Sequence, residues 1–307
     1  MSAEPAIPFH DRPLLVLALG GNALSPPTDA GEDYAPERRI VRATGERLKR
    51  LAERGYRLLI VHGNGPQVGR LLRQDPSHGN LDIHIAQTQG ELGYLLVRAL
   101  KHTALSLLTR VVVAEDPGPP VKAVGPVLRS RPDGSAVRAG DGWRVAVASP
   151  TPLAVLEEAA IATLLRTHHV IAGGGGGIPE SVSGEPVAGV VDKDRIAALL
   201  AVALDARHLV FATDVPGVYP EPDVRSGPPL AGIGLDTART LIDRRIAAAG
   251  SMGPKLESAL EFATRTGRPA SICALDAVEA ALSGRAGTRV GQAPEDAPST
   301  PGSAPDA

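Results

Sequence analysis

Short continuous apolar runs alternate along the chain with longer stretches in which apolar residues recur every three or four positions. Wholly apolar runs are Leu14 to Leu19 and Leu58 to Val61, and largely apolar ones are Leu105 to Val113, His169 to Ala172, His208 to Thr213 and Ala270 to Ala274. A strand covered on both faces has no polar side, so these runs predict buried strands of a parallel sheet. Helical spacing begins at Pro36, passes through Ile40, Val41, Ala43, Leu48, Leu51 and Ala52, and stops at Gly55. The same periodicity predicts helices over Pro66 to Gln74, Gln87 to Lys101, Pro152 to Thr167, Asp194 onward, Asp236 to Ala248, Leu256 to Thr266 and Asp276 to Leu282. Strands alternating with helices imply an α/β fold, a mainly parallel sheet with helices on both faces and ligands along the strands' carboxyl edge.

One region breaks the rhythm. From Glu115 to Ser149 the chain turns to proline, glycine and short alternating strands, including Val124 to Val127 and Trp143 to Val147. This predicts a small β-rich insertion of the kind that forms a lid, with Trp143 as its packing centre. The expected division is a catalytic domain over 13–290, carrying the insertion at 115–149, between disordered tails at 1–12 and 291–307.

Composition narrows the function without naming it. The 307 residues are 43% hydrophobic and 21% charged, enough for a sizeable core, and the formal charge of −2 offers no global attraction to nucleic acid or an anionic membrane. The single cysteine, Cys273, sits in an apolar run and suits a reducing cytoplasm. No run approaches the roughly 20 apolar residues of a membrane span, so a small-molecule ligand in a local pocket is expected.

The chemistry concentrates where strands end. Gly20-Gly21-Asn22 follows the first strand, and His62-Gly63-Asn64-Gly65-Pro66-Gln67-Val68-Gly69 follows the second. Five glycines, Gly173 to Gly177, precede Asp192-Lys193-Asp194 at a helix start. Loops of bare amides beside helix N-termini suit a phosphate, although each loop taken singly is also compatible with an ordinary turn. His62 is either an acid–base group or a strand-end histidine bonded to backbone. Asp214 to Tyr219 forms another carboxyl-end loop, able to cradle a nucleoside, and Gly250 to Lys255 opens a helix from which Lys255 is expected to face outward. No Walker-type motif, dinucleotide fingerprint, nucleophile elbow or close Cys/His metal spacing occurs. Amide loops and two helix-start lysines remain, a set suited to phosphoryl transfer onto an anionic oxygen, where no general base is required.

These segments, in this order from Leu14 to Val290, resemble the signatures of carbamate kinases in the amino acid kinase superfamily. The resemblance implies a homodimer of three-layer α/β/α subunits using ATP or ADP with Mg2+. It also implies reversible exchange between carbamoyl phosphate plus ADP and carbamate plus ATP. By resemblance, Lys193 and Lys255 stabilise the transferring group and Asp194 holds them. Gly20, Gly21, Asn22, Gly63, Asn64 and Gly65 bind the carbamoyl side. Gly174, Gly175, Gly176, Asp214, Val218, Tyr219, Met252 and Lys255 lie by the nucleotide, and metal ligands are left to phosphate oxygens and water. Three departures stand out: a shortened insertion, Ala114 where the family has a lysine, and Pro216 in place of an acidic residue. Lys122 is the insertion's one lysine and the candidate substitute, in substrate binding or in a surface role; Arg129, Arg131 and Arg144 are read as solvated. A kinase of another small carboxylate or carbamate, and a non-catalytic nucleotide-binding regulator, stay open as alternatives.

Overall fold

The computed structural model describes residues 7–25, 34–75, 80–101, 103–132, 134–220, 227–244 and 252–292. Its strands, in chain order, are β1 (Leu14–Leu19), β2 (Arg57–His62), β3 (Ala104–Ser106), β4 (Arg110–Val113), β5 (Pro120–Leu128), β6 (Ala136–Ala139), β7 (Gly142–Ala148), β8 (Pro152–Val155), β9 (His169–Ile171), β10 (Ile178–Glu180), β11 (His208–Thr213), β12 (Gly232–Ile233), β13 (Ala270–Ala274) and β14 (Thr288–Val290). Helices are α1 (Ala35–Glu53), α2 (Gly65–Gln74), α3 (Leu81–Leu100), α4 (Glu158–Leu164), α5 (Lys193–Ala203), α6 (Leu235–Asp243), α7 (Met252–Thr266) and α8 (Val278–Leu282).

Eight strands form the central sheet in the order β12-β14-β13-β11-β1-β2-β9-β3. From β13 to β3 the pairings are parallel, and β14 meets β13 antiparallel. All six side chains of β1 are buried, and their alternation splits the core in two. Leu14, Val16 and Ala18 pack with Ile196 and Leu200 of α5 and Leu256 and Phe262 of α7. Leu15, Leu17 and Leu19 pack with Val41 and Leu48 of α1, Leu92 and Leu96 of α3 and Val278 of α8. The result is an α/β/α sandwich. Because β1 has β2 on one side and β11 on the other, the crossovers diverge there and open a crevice at the carboxyl ends, where open α/β sheets bind ligands.

Several expectations need correction. The run Leu105 to Val113 is not one strand, since β3 belongs to the central sheet and β4 to a small sheet with β8 and β10. Its break is satisfied by Gln89, whose Oε1 accepts from Thr109 N at 2.8 Å while its Nε2 donates to Thr109 O at 3.1 Å. The helix expected over Pro152 to Thr167 begins only at Glu158, because Pro152–Val155 pairs antiparallel with β4. Helix α3 starts at Leu81, six residues ahead of Gln87. Of the tail expected over 1–12, the described part includes the turn Phe9–Asp11, whose Phe9 ring packs edge-on against His169 at 5.2 Å. The expected end of α6 at Ala248, together with Gly250 and Ser251, lies outside the described residues.

The insertion is a three-stranded antiparallel sheet, β5-β7-β6, and it meets the body through α2. Val124 and Val147 of the insertion pack with Val68 and Leu72 of α2 and Leu81 and Ile85 of α3. This contact is made close by two glycines. A β-carbon on Gly69 would fall 1.8 Å from the Gly125 Cα, and Gly125 has φ of +75°, so neither position tolerates a side chain without displacement. Trp143 is not the packing centre; it is half-buried, with Arg131 and Arg138 over its ring at 5.4 and 5.0 Å.

Candidate active site

Helix α5 begins with a capped turn that sets the site. Asp192 is its N-cap, and its carboxylate accepts the Asp194 amide at 2.9 Å. Lys193 therefore occupies the first helical position and Asp194 points into the interior. Asp194 Oδ1 accepts from Lys193 Nζ at 2.7 Å, while Oδ2 accepts from Lys255 Nζ at 3.1 Å. Lys255 does not face outward: its side chain is 2% exposed, drawn inward because a buried carboxylate offsets both desolvation and the opposing dipole of α7.

The charges are strongly coupled. Burial works against both ammonium groups, but Asp194 and Asp192 outweigh it at Lys193 and raise its pKa. At Lys255 burial prevails, with Lys193 adding to it, and the pKa is lowered. Burial also opposes ionisation of Asp192, yet Lys122 and Lys193 beside it hold its carboxyl well below the usual range. Asp192 is also paired with Lys122 of β5, an ion pair that ties the insertion to the start of α5.

A cleft of about 610 Å³ opens over these groups. Gly20, Gly21, Gly63, Gly65, Lys193, Lys255 and Asp214 line it, joined by Arg47 of α1, Ala123 and Arg144 of the lid, and Ala274 to Asp276 at the end of β13. A β-carbon on Gly63 would meet Gly21 N and Lys193 Cε, each at 3.5 Å, so the missing side chain lets the first loop and the lysine approach. Asn22 lies on the turn Gly21–Ala23, with its side chain outside the described part.

Other expected residues are placed elsewhere. Gly174, Gly175 and Gly176 are buried and do not line the cleft. Gly175, at φ +65°, has the Asn64 side chain where its own would stand, with Nδ2 at 2.1 Å from that point. Asn64 in turn donates to Thr88 Oγ1 at 2.8 Å, and Gln89 donates to Gly174 O at 3.0 Å. The glycine run is thus a packing bed beneath the second loop, not an open phosphate cradle. His62 is part of that bed; its Nδ1 donates to Gly63 O at 3.1 Å, and burial lowers its pKa to about 4, leaving a neutral ring. Val218 is buried in the core, with its amide donating to Thr288 Oγ1 at 2.8 Å. Tyr219 and Met252 are half-buried at the edges of the β11 loop and α7.

Comparison with known proteins assigns the architecture. The Amino acid kinase family matches residues 13–274. Carbamate kinase of Escherichia coli K12 is 38% identical over 89% of this chain and 98% of its own. Carbamate kinase from Giardia lamblia bound to citric acid superposes with a TM-score of 0.83 at 31% identity, covering 92% of this chain and 99% of that one. The chain belongs to the carbamate kinase branch of the amino acid kinase family. A second Giardia lamblia structure, of carbamate kinase bound to AMP-PNP, has a TM-score of 0.78 at 31% identity over 92% and 99% of the two chains.

As a member of this family the chain is an ATP-dependent phosphotransferase. Within a carbamate kinase frame, Arg144 and Arg47 are cleft cations that sequence reading passed over. The signal for Arg144 was its context: it interrupts the apolar run Trp143 to Val147, whereas Arg129 and Arg131 sit in a polar turn. Nothing in the sequence marks Arg47 among the arginines of α1. Ala114, one of the three departures, has its amide donating to Thr151 O at 3.0 Å. No group of three or more His, Cys, Asp or Glu among the described residues is placed to hold a metal ion, and no helix of the described residues is long and apolar enough to cross a membrane.

Proposed function

We propose that the chain is a carbamate kinase, exchanging a phosphoryl group between carbamoyl phosphate plus ADP and carbamate plus ATP as a homodimer in the cytoplasm. The observation that carries this reading is the Lys193–Asp194–Lys255 arrangement, two ammonium groups held on one buried carboxylate above two glycine loops. Carbamoyl phosphate lies over Gly20, Gly21, Asn22, Gly63 and Gly65, and the nucleotide occupies the side bounded by Asp214, Tyr219 and Met252. A terminal ADP oxygen forms the bond to phosphorus as the carbamate oxygen leaves. Both oxygens are anionic, so no proton moves and the chain's contribution is position and charge. Lys193 and Lys255 stabilise negative charge on the transferring group, and Asp194 fixes their direction.

Magnesium fits this donor set as an ion carried by nucleotide phosphates and water, because Asp192 and Asp194 are each engaged with lysine and no carboxylate cage is present among the described residues. When bound it supplies further charge neutralisation to the phosphates.

A second reading, phosphorylation of another small carboxylate or carbamate, is favoured by Ala114 and by the engagement of Lys122 with Asp192. One assay separates them: purified protein with ADP and carbamoyl phosphate, followed for ATP, beside acetyl phosphate and other acyl phosphates. Fastest turnover with carbamoyl phosphate supports carbamate kinase. Preference for another acyl phosphate by tenfold or more in kcat/KM supports the second reading, and no ATP from any of them rejects both.

A further inference from the structure

Helices α1 and α3 are in close contact where Gly45 meets Ala99: a β-carbon on Gly45 would fall 2.3 Å from the Ala99 Cβ. Toward the amino end of α1 from that crossing lies a groove of about 380 Å³. Val41 and Leu95 form its apolar floor, while Arg38, Arg39 and Arg42 of α1 and Arg98 of α3 line its walls. None of these residues borders the catalytic cleft. Among the described residues no carboxylate pairs with any of the four arginines. Farther along the same helix the pattern differs, since Arg50 and Arg54 reach Glu279 at 3.0 and 2.7 Å. Glu37 and Glu91 are taken by Arg70, and Glu46 by Lys49. Arg98 rests over the Tyr94 ring at 5.6 Å, a contact that uses its face and leaves its nitrogens.

Such a cluster is unfavourable by itself. Arg38 and Arg42 stand one turn apart on the same face, about 6 Å between β-carbons, where like charges repel, and the dipole of α1 adds to that repulsion near its amino end. We infer that the groove is a second anion site, separate from the catalytic cleft, for a small molecule carrying a chain of two or three phosphates. Guanidinium groups spread along one helix and facing across from another are beyond the reach of a single phosphate, whereas a chain of them meets both walls. Each planar fork accepts two phosphate oxygens, and the volume lies in the range of small-ligand sites. Its occupancy does not depend on which acyl phosphate the cleft turns over.

The test titrates the full chain with inorganic tripolyphosphate by calorimetry, beside orthophosphate and ATP, with thermal melting to verify the fold of each variant. Because the catalytic cleft also takes phosphates, the readout is the binding event that groove variants remove. Arg38→Gln/Arg42→Gln should weaken that event about tenfold or more, and Arg98→Gln on the other helix should weaken it several-fold, with kcat and KM in the cleft changed less than about twofold. Arg50→Gln/Arg54→Gln removes the same charge from α1 outside the groove and should leave binding as in wild type. An equal loss in that control assigns the effect to general charge and overturns the inference. Tripolyphosphate binding unchanged in the groove variants, or orthophosphate held in the groove as tightly, overturns it as well. Binding that emerges only when Asp29, Glu32 and Asp33, which precede α1 in the sequence, are changed to Asn, Gln and Asn also overturns it, since the groove then serves the chain's own acidic stretch. Loss of one ATP-binding event in the groove variants identifies a nucleoside polyphosphate as the ligand. Loss confined to tripolyphosphate identifies a free oligophosphate, and either result upholds the site.

Discussion

Lys255 of α7 reaches Asp194 of α5 at 3.1 Å, joining two positions 61 residues apart through side chains that are each 2% exposed. Since Lys193 holds the other oxygen of the same carboxylate, loss of Asp194 leaves two buried ammonium groups facing each other. Asp194→Asn should lower kcat by about a hundredfold or more and destabilise the fold by on the order of 3–5 kcal/mol. Lys193→Ala should match that loss of kcat at a much smaller cost in stability, because its side chain lies nearer the cleft. Equilibrium denaturation beside steady-state kinetics checks this ordering, and near-normal turnover in Lys193→Ala would remove that lysine from the chemistry.

The lid contact makes a different prediction. Alanine at Gly69 would drive a methyl group into Gly125, so Gly69→Ala should lift β5 from α2. KM for the acyl phosphate should rise several-fold while the thermal midpoint falls only slightly, since the central sheet is untouched. Amide hydrogen exchange of residues 120–128 provides the structural readout; unchanged protection there would mean the helix absorbs the methyl instead.

Acid stability depends on two buried histidines. His169 Nδ1 accepts the Leu58 amide at 3.1 Å, which requires a neutral ring, and burial aided by Arg12 and His168 lowers its pKa to about 4, the value also reached by His62. Both folded pKa values lie below the ordinary value of about 6.5, so the unfolded chain binds more protons between them. Stability is therefore complete above pH 6.5 and is lost as pH falls toward 4, by on the order of 2 kcal/mol per histidine at pH 5. Denaturant titrations at pH 7 and pH 5 measure the difference. A His169→Gln variant, whose side-chain oxygen still accepts from Leu58, should show a shallower decline; an identical slope would assign the acid sensitivity to other groups.

Association is expected through α3. Ile83 and Tyr94 are 53% and 58% exposed on that helix, and Leu108 beside it in sequence is 55% exposed. Sedimentation should report a species of about twice 31.7 kDa at micromolar concentration, and Tyr94→Glu should halve it. Wild-type protein sedimenting at the single-chain mass under those conditions would refute the dimer.

The sequence made the sheet legible because continuous apolar runs have few other uses, and β1, β11 and β13 occupy the predicted residues. Pattern alone could not divide Leu105 to Val113, since the break is capped by Gln89 from a distant helix. Glycines were harder to interpret. Gly20, Gly21 and Gly63 do face the cleft, whereas Gly174, Gly175 and Gly176 are bare for the sake of His62, Asn64 and the Val191 backbone, and composition cannot distinguish a glycine that meets a ligand from one that meets its own protein. Charge pairing was equally hidden: the sequence contains Lys122, Arg144 and Asp192 without indicating which cation the aspartate takes.

The crossing of Gly125 over Gly69 fixes the insertion at its root and leaves its far end unconstrained. Added bulk at Gly134 or Gly140, in the turns at that end, would meet nothing within 4 Å, although both have positive φ. Lys122 and Arg144 lie on the near sides of those turns, on paired strands whose placement is decided where β5 meets α2. Hairpin length is therefore separable from cleft geometry. Grafts that exchange only residues 129–141 between short and long insertions should carry over the size of the lid without disturbing what it presents to the substrate.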